Sequence, residues 1–429
     1  MRVAFYTLGC KVNQYETQII SQRFAENGFD LVDCAETADI YVINSCTVTA
    51  TGDKKTRQIV HRFKKKNPAA IIVLTGCFPQ AYPDDAQAIE EADIVTGTRE
   101  RSAIFELVQQ FISDGKRTIR ITPHQKGEKF EKMSANGFSE RTRAFVKIQD
   151  GCDRYCSYCI IPTARGPIRS KELEDIKAEL SVLAQEGYKE VVLVGINLSL
   201  YGKEFGLRLI DAVKAACSVV GIERVRLGSI EPELITDEDL AEMASLTEFC
   251  PQFHLSLQSG CTDTLKRMNR HYTADEYAEL VEKIRRAFEN PSITTDIMVG
   301  FPGEDAREFE ESCDFVERVR IAKCHVFAYS RRPNTRADRM PNQITRAEKE
   351  KRSRTLIGVA DKVRSEFLKT QTGRVCRVLF ETFDDKLGYF GYSENYTPVY
   401  VKCGRDLRGE VFEVKITASA DDYCTGELI

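Results

Sequence analysis

No apolar run in this chain of 429 residues approaches the roughly 20 residues that a membrane-spanning helix needs. The opening stretch Met1 to Leu8 (MRVAFYTL) also lacks the long apolar core and small-residue cleavage site of a secretory signal, so a cytoplasmic protein with no membrane partner is expected. An excess of positive charge is missing as well: Lys plus Arg number 61 against 65 Asp plus Glu, a net charge of −4. That excludes a polycation coating nucleic acid with its whole surface, and any such binding has to come from local patches. Internal repeats and low-complexity tracts are absent too. What is abundant is cysteine, fifteen in all. In a large chain with no secretion signal these read as reduced thiols or metal ligands rather than disulfides.

A chain this long outgrows a single core, and its pattern divides into domains. Over 1–115, short apolar runs (VAFYTL, YVIN, IIVLTG, ADIVTG) alternate with helical segments, which predicts an open parallel α/β domain. The stretch 116–143, containing KGEKFEKMSANGFSERTR, is rich in charge, Gly and Ser and reads as a linker. Over 144–345, six candidate strands (FVKIQ, EVVLVG, RVRLGS, FHLSLQ, TTDIMVG and CHVFAYS) alternate with helices. Six βα units predict a partial (βα)6 relative of the eight-stranded parallel barrel, with functional residues beyond the carboxyl ends of the strands. A charged helical connector over 346–371 leads to a β-rich tail over 372–429, expected to form a small antiparallel β-barrel of the kind that contacts RNA.

The run GCDRYCSYCIIPTARGPIRS places Cys152, Cys156 and Cys159 in CxxxCxxC spacing directly after FVKIQ. A loop this short can wrap three sulfurs around one metal centre. Structural zinc wants four protein ligands, and neither a His nor a fourth Cys stands nearby to complete the set. Three thiolates can hold a 4Fe-4S cluster and leave one iron open, which the amino and carboxylate groups of S-adenosylmethionine can chelate. One electron then cleaves the sulfonium and releases a 5′-deoxyadenosyl radical.

This spacing, with the aromatic Tyr158 just before the third cysteine, resembles the radical S-adenosylmethionine superfamily. The resemblance extends to GINLSLYG, SIEP, LSLQSG and DIMVGFPGE at successive strand ends. It implies that the Tyr158 backbone lies against the adenine and that Asn197, Ser256 and Gln258 contact S-adenosylmethionine. Asp296 is the catalytic candidate, serving either the cofactor or the substrate.

Cys10 follows VAFYTLG, Cys46 follows YVINS and Cys77 follows IIVLTG, each just past the end of a predicted parallel strand. In an open parallel sheet those ends share one edge, where ligands bind, so three thiols can converge. On the residues alone each reads more readily as a small buried residue in a strand-to-helix turn. TLGCKVNQYET, NSCTVT and LTGC, however, resemble the amino-terminal domain of the methylthiotransferases, which join it to a radical barrel and a small TRAM-like barrel. The resemblance implies a second 4Fe-4S cluster on Cys10, Cys46 and Cys77, whose free iron carries a sulfur methylated by one S-adenosylmethionine. A second S-adenosylmethionine, cleaved at the Cys152 cluster, then activates the substrate carbon. An external electron donor and a sulfur donor become required partners, and a monomer is expected. The remaining cysteines are expected to pack as small apolar residues.

The segment DKKTRQIVHRFKKK sets seven Lys or Arg residues against one acid, and YSRRPNTRADR adds further arginines near the last barrel strand. Lys54, Lys55, Arg57, Arg331, Arg332 and Arg336 are the RNA-binding candidates, since Arg forks to phosphate or stacks on bases. In the tail, Tyr389, Phe390, Tyr392, Tyr396 and Tyr400 interleave with Lys402, Arg405 and Arg408, which predicts a stacking surface, part of it filling the barrel core. GCKVNQYET, HVFAYSRRPNTRA and the short final domain look most like the branch acting on N6-threonylcarbamoyladenosine next to the tRNA anticodon, giving its 2-methylthio derivative. Related branches act on isopentenyladenosine or on an aspartate of a ribosomal protein, and the reading outside enzymes is an iron-sulfur RNA-binding module. In GFPGED, Asp305 stands where the family has Thr, another good helix cap, and no functional consequence is expected.

Overall fold

The computed structural model describes residues 1–134 and 142–429. The amino-terminal strands align in the order Asp30–Val32, Arg2–Thr7, Ile40–Ser45, Ile71–Gly76, Ile94–Thr96, Thr118–Arg120, every pair parallel. Ile40–Ser45 and Ile71–Gly76 are buried along their whole length, as central parallel strands covered on both faces must be. The sixth strand, Thr118–Arg120, falls inside the stretch expected as a linker; residues 135–141 of that stretch lie outside the described residues.

Arg143–Lys147, Glu190–Val194 and Arg224–Leu227 form one parallel sheet, and Ser229–Ile230, Gln252–Leu255, Ser292–Val299 and Lys323–Ala328 another. Only Gly228 separates Leu227 from Ser229, so one chain segment serves both sheets and joins them into the partial barrel. Its apolar core takes in Val12, Tyr15 and Ile19 from the helix Lys11–Glu26. That shared core fixes the helix, and Cys10 at its start, against the barrel.

The helix Arg346–Lys369 leads into a closed barrel of Val375–Asp384, Gly388–Tyr392, Pro398–Val401, Cys424–Leu428 and Val411–Ser419. Its pairings are antiparallel except that Pro398–Val401 runs parallel to Cys424–Leu428. A ring with an odd number of strands cannot alternate direction throughout, so one parallel pair is forced. The loop 393–396 caps the amino-terminal mouth of the larger barrel. Arg224 donates to the carbonyls of Arg377, Tyr392 and Ser393 at 2.8–3.0 Å, and Arg226 to those of Ser393 and Glu394 at 2.5–2.6 Å. Buried Glu190 balances both guanidiniums at 2.7 Å. Among the described residues no helix is long and apolar enough to cross a membrane.

Candidate active site

Thr7 lies beside Asn44, and Asn44 beside Thr75, in three adjacent strands. Two or three residues further on, each chain turns at a thiol, so Cys10, Cys46 and Cys77 come to one edge of the sheet. Gly9 permits the close approach: its φ is +102°, and a Cβ there would stand 2.6 Å from Cys46 Cβ and 2.8 Å from Cys46 Sγ. All fifteen cysteines of the chain are free thiols. Burial pushes the Cys77 thiol up to about 12, against the nearby Arg165 guanidinium, whose Nε donates to Cys77 Sγ at 3.2 Å. Burial raises the Cys46 thiol as well. Thiols held so high are poor nucleophiles. What they suit is a metal centre that displaces their protons. Among the described residues no three metal-ligating side chains close around a single ion.

The second thiol set lies in the loop after Gln149–Asp150. Arg270 Nη1 donates to Cys156 Sγ at 3.2 Å, and Asn197 Nδ2 to Cys152 Sγ at 3.6 Å. Arg270 is itself braced by Glu231 and Tyr272. Asn197 Oδ1 is buried with no partner among the described residues, an orphaned acceptor beside the thiol loop that suits the donor groups of S-adenosylmethionine. Its backbone N–H is held by Gln149 Oε1 at 2.8 Å. Gln258 adopts φ +71° and is pinned by backbone hydrogen bonds to Asp296 and Met298, each 2.9 Å. Such a backbone in a non-glycine residue persists only where its surroundings over-determine it. Ser256 is engaged through its carbonyl, which accepts from Arg270 and Tyr272. Tyr158 packs against Phe301 in a small apolar cluster with Met268, Met298 and Tyr329.

Arg165, Arg270, Glu231 and Gln149 escape a sequence reading. Glu231 and Arg165 fall inside the motifs SIEP and TARG, but single residues without a spacing partner carry no signal there. The structure reveals their role: Glu16 and Asp150 form a buried network with Arg101, Lys147 and Arg165 that runs from the Cys77 wall to the strand preceding Cys152.

A cavity of about 670 Å³ inside the barrel is walled by Cys10, Lys11, Asp296 and His325 and by Tyr392 and Tyr396 of the small barrel. The two tyrosine rings stack at 4.2 Å and 9°, with the Arg143 guanidinium 5.0–5.1 Å from each. Asp296 lies 3.5 Å from His254 Nε2. Burial would raise its carboxyl, but the His254 hydrogen bond and the charges of His254, His325 and Lys11 hold it below the usual range. Lys11 is pushed down to about 8, by burial first and then by Arg143 and Arg226.

Lys54, Lys55 and Arg57 are exposed on the helix Ala50–Lys66, Arg57 paired with Asp85 at 3.1 Å. Arg331 and Arg336 are exposed too, Arg331 bound to Asp338. Arg332 corrects the expectation. It is 2% exposed, donates to Asp53 at 2.5 Å and Thr47 at 2.8 Å, and lies 5.0 Å over the Tyr82 ring. With its charge satisfied inside, it clamps the loop after the last barrel strand to the amino-terminal domain and is closed to phosphate. Of the aromatics expected on the tail, Phe390, Tyr392, Tyr396 and Tyr400 line one pocket together, and Tyr392 and Tyr396 also reach the larger cavity.

Residues 146–316 match the Radical SAM superfamily, residues 2–97 the Uncharacterized protein family UPF0004, and residues 369–429 the TRAM domain. The whole chain is 37% identical to the threonylcarbamoyladenosine tRNA methylthiotransferase MtaB of Bacillus subtilis, covering 96% of that protein. The chain belongs to the radical S-adenosylmethionine tRNA methylthiotransferases. A tRNA-2-methylthio-N(6)-dimethylallyladenosine synthase of Caldicellulosiruptor saccharolyticus is 32% identical over 99% of this chain and 91% of that one. S-adenosylmethionine and 4Fe-4S clusters are the cofactors of this methylthiotransferase. Its fold is similar to that of TsrM, a radical S-adenosylmethionine methyltransferase from Kitasatospora setae, with TM-score 0.56 and 13% identity over 79% of this chain and 77% of that one.

Proposed function

We propose that this protein adds a 2-methylthio group to N6-threonylcarbamoyladenosine next to the anticodon of tRNA, in the cytoplasm, as a monomer served by an external electron donor and a sulfur donor. The observation that carries the reading is the single cavity shared by Cys10, Asp296 and the stacked Tyr392 and Tyr396. In this reading Cys152, Cys156 and Cys159 hold one 4Fe-4S cluster and Cys10, Cys46 and Cys77 the other. With S-adenosylmethionine bound, these groups supply radical chemistry and sulfur transfer.

The chain's own residues do the positioning. Asn197 offers its free Oδ1 to the cofactor, beside Ser256, Gln258 and Tyr158. Tyr392 and Tyr396 offer a ring face on which a splayed adenine stacks, a contact worth about 1–3 kcal/mol per base. Phe145, Val192, Val194 and Leu227 give part of the cavity an apolar wall. Lys54, Lys55 and Arg336 are exposed on the surface to hold phosphates, and Arg57 and Arg331, exposed but paired with Asp85 and Asp338, would have to exchange those partners to join them. The relatives support the choice of nucleoside: those named MtaB are 35–38% identical, those named dimethylallyladenosine synthases 31–32%.

Mass analysis of tRNA nucleosides from a deletion strain tests this. The expected result is loss of the 2-methylthio derivative of N6-threonylcarbamoyladenosine alone. Loss of the dimethylallyl derivative instead would reassign the substrate, and intact tRNA with an unmodified ribosomal-protein aspartate would refute a tRNA substrate.

A further inference from the structure

The cavity wall carries more positive charge than its carboxylates balance. Arg143 pairs with Glu381 at 3.2 Å, Arg226 with Glu190 at 2.7 Å, and His254 with Asp296 at 3.5 Å. Lys11 and Lys323 are left over, both on the wall of the same cavity and both open to the water inside it. Among the described residues neither ammonium lies within ion-pairing distance of a carboxylate: Lys323 also faces Arg364 and Asp422 across a second, smaller pocket, and Lys11 feels Asp296 and Glu190 at longer range with the Phe145 ring 5.9 Å away. His325 stands two residues after Lys323 on the strand Lys323–Ala328, so it shares that face of the strand and lines the same cavity. Two cations without an ion-pair partner on the wall of one cavity favour a ligand that brings the counter-charge.

We propose that Lys11 and Lys323, with His325 beside Lys323 on the same wall, form a subsite for the carboxylate on the N6 substituent of the substrate, selecting an acidic substituent over a hydrocarbon one. The proposal deepens the substrate reading above and rests on it. A carboxylate there accepts charge-assisted hydrogen bonds from groups that otherwise have none. A dimethylallyl group of similar reach strips water from both ammoniums and returns nothing, and a site built for a polar partner strongly rejects the analogue lacking it. Asp296, the carboxylate on the cavity wall, is engaged by His254, which limits its repulsion of a second acid. Lys11 directly follows Cys10 and begins the helix Lys11–Glu26, so capture at Lys11 also sets how far the adenine stands from that thiol.

The test is anaerobic binding of anticodon stem-loop RNAs to the reconstituted holoenzyme, followed by fluorescence anisotropy. One RNA carries N6-threonylcarbamoyladenosine, one its uncharged methyl ester and one N6-dimethylallyladenosine. Wild-type protein is expected to bind the acid about tenfold or more tightly than the ester. Lys11→Met and Lys323→Met are each expected to remove most of that ratio while changing ester affinity by about twofold at most. Iron per chain, measured on both variants, shows whether Lys11→Met leaves the neighbouring Cys10 site loaded, and Lys323 is remote in sequence from every cysteine of either set. Variants that keep the wild-type ratio, or lose acid and ester binding equally, overturn the lysine subsite alone. A wild-type protein that prefers the dimethylallyl RNA overturns the subsite and the substrate reading together.

Discussion

Arg165 Nε donates to Cys77 Sγ at 3.2 Å, although Arg165 belongs to the barrel and Cys77 to the amino-terminal sheet. The same guanidinium reaches Glu16 and Asn13, both on the helix Lys11–Glu26. Arg165 ends the short helix Ile161–Arg165 that follows Cys159, so one side chain ties the ground of one thiol set to the wall of the other.

Replacing Arg165 with Met leaves a buried carboxylate and a buried amide short of a partner, which costs about 3–5 kcal/mol. Urea unfolding is expected to show that loss. Arg165→Lys should recover only a minor part, because an ammonium cannot serve the Cys77, Glu16 and Asn13 directions from one planar fork. Full recovery by Lys would mean that charge alone matters.

Glu16 predicts an acid limit. Burial pushes its carboxyl up, but Arg101, Arg165 and Lys147 outweigh burial and hold it at about 2, below the ordinary 4.5. Asp150 is likewise held well below its ordinary range. A folded pKa below the unfolded one contributes stability that is complete above the unfolded value and lost as pH falls toward the folded one. The stability gap between wild type and Glu16→Gln is therefore expected to be roughly 3 kcal/mol at neutral pH and to close between about pH 4.5 and pH 2. Urea unfolding of cluster-free protein across that window measures it, and a gap that stays constant with pH would exclude the mechanism.

Local chemistry was legible in the sequence, and distant partners were not. CxxxCxxC announces its site because three thiols in one short loop have few other uses, and six apolar runs were enough to count the barrel strands. Cys10, Cys46 and Cys77 were readable only as strand ends, since their meeting depends on the order of strands in the sheet. Arg332 sits in a segment of Arg, Pro and Asn that reads as surface, and the residue that buries it, Asp53, is 279 positions away. Thr118–Arg120 is a half-exposed edge strand without the apolar run that marks a buried one. The alternation in the tail could place Tyr392 and Tyr396 on a strand and its loop, but not inside another domain's cavity.

The joint between the two barrels depends on Arg224, which is 1% exposed and donates to the carbonyls of Arg377, Tyr392 and Ser393. Arg224→Ala removes these donors, leaving the Ser393 carbonyl only its bond from Arg226, and is expected to cost about 3 kcal/mol or more. Because the lost bonds all cross the joint, the small barrel should loosen before the rest unfolds. Limited proteolysis is expected to cut the variant near 370–374, between the long helix and the first tail strand. Cleavage at the wild-type rate would mean that Arg226 and Glu190 hold the joint without it.

The two thiol sets stand on different loops, and each has its own guanidinium: Arg165 beside Cys77, Arg270 beside Cys156. Nothing in that geometry makes one set depend on the other for its ligands. Replacing Cys152, Cys156 and Cys159 by Ala is therefore expected to leave about half the iron after anaerobic reconstitution, and the same change at Cys10, Cys46 and Cys77 the other half. The chemistry should divide less evenly. The first variant is expected to yield no 5′-deoxyadenosine on reduction with S-adenosylmethionine, whereas the second still cleaves it but transfers no sulfur. If either triple variant loses all its iron while remaining folded by circular dichroism, the sites are not independent, and the buried Glu16 network would have to be read as part of a single assembly.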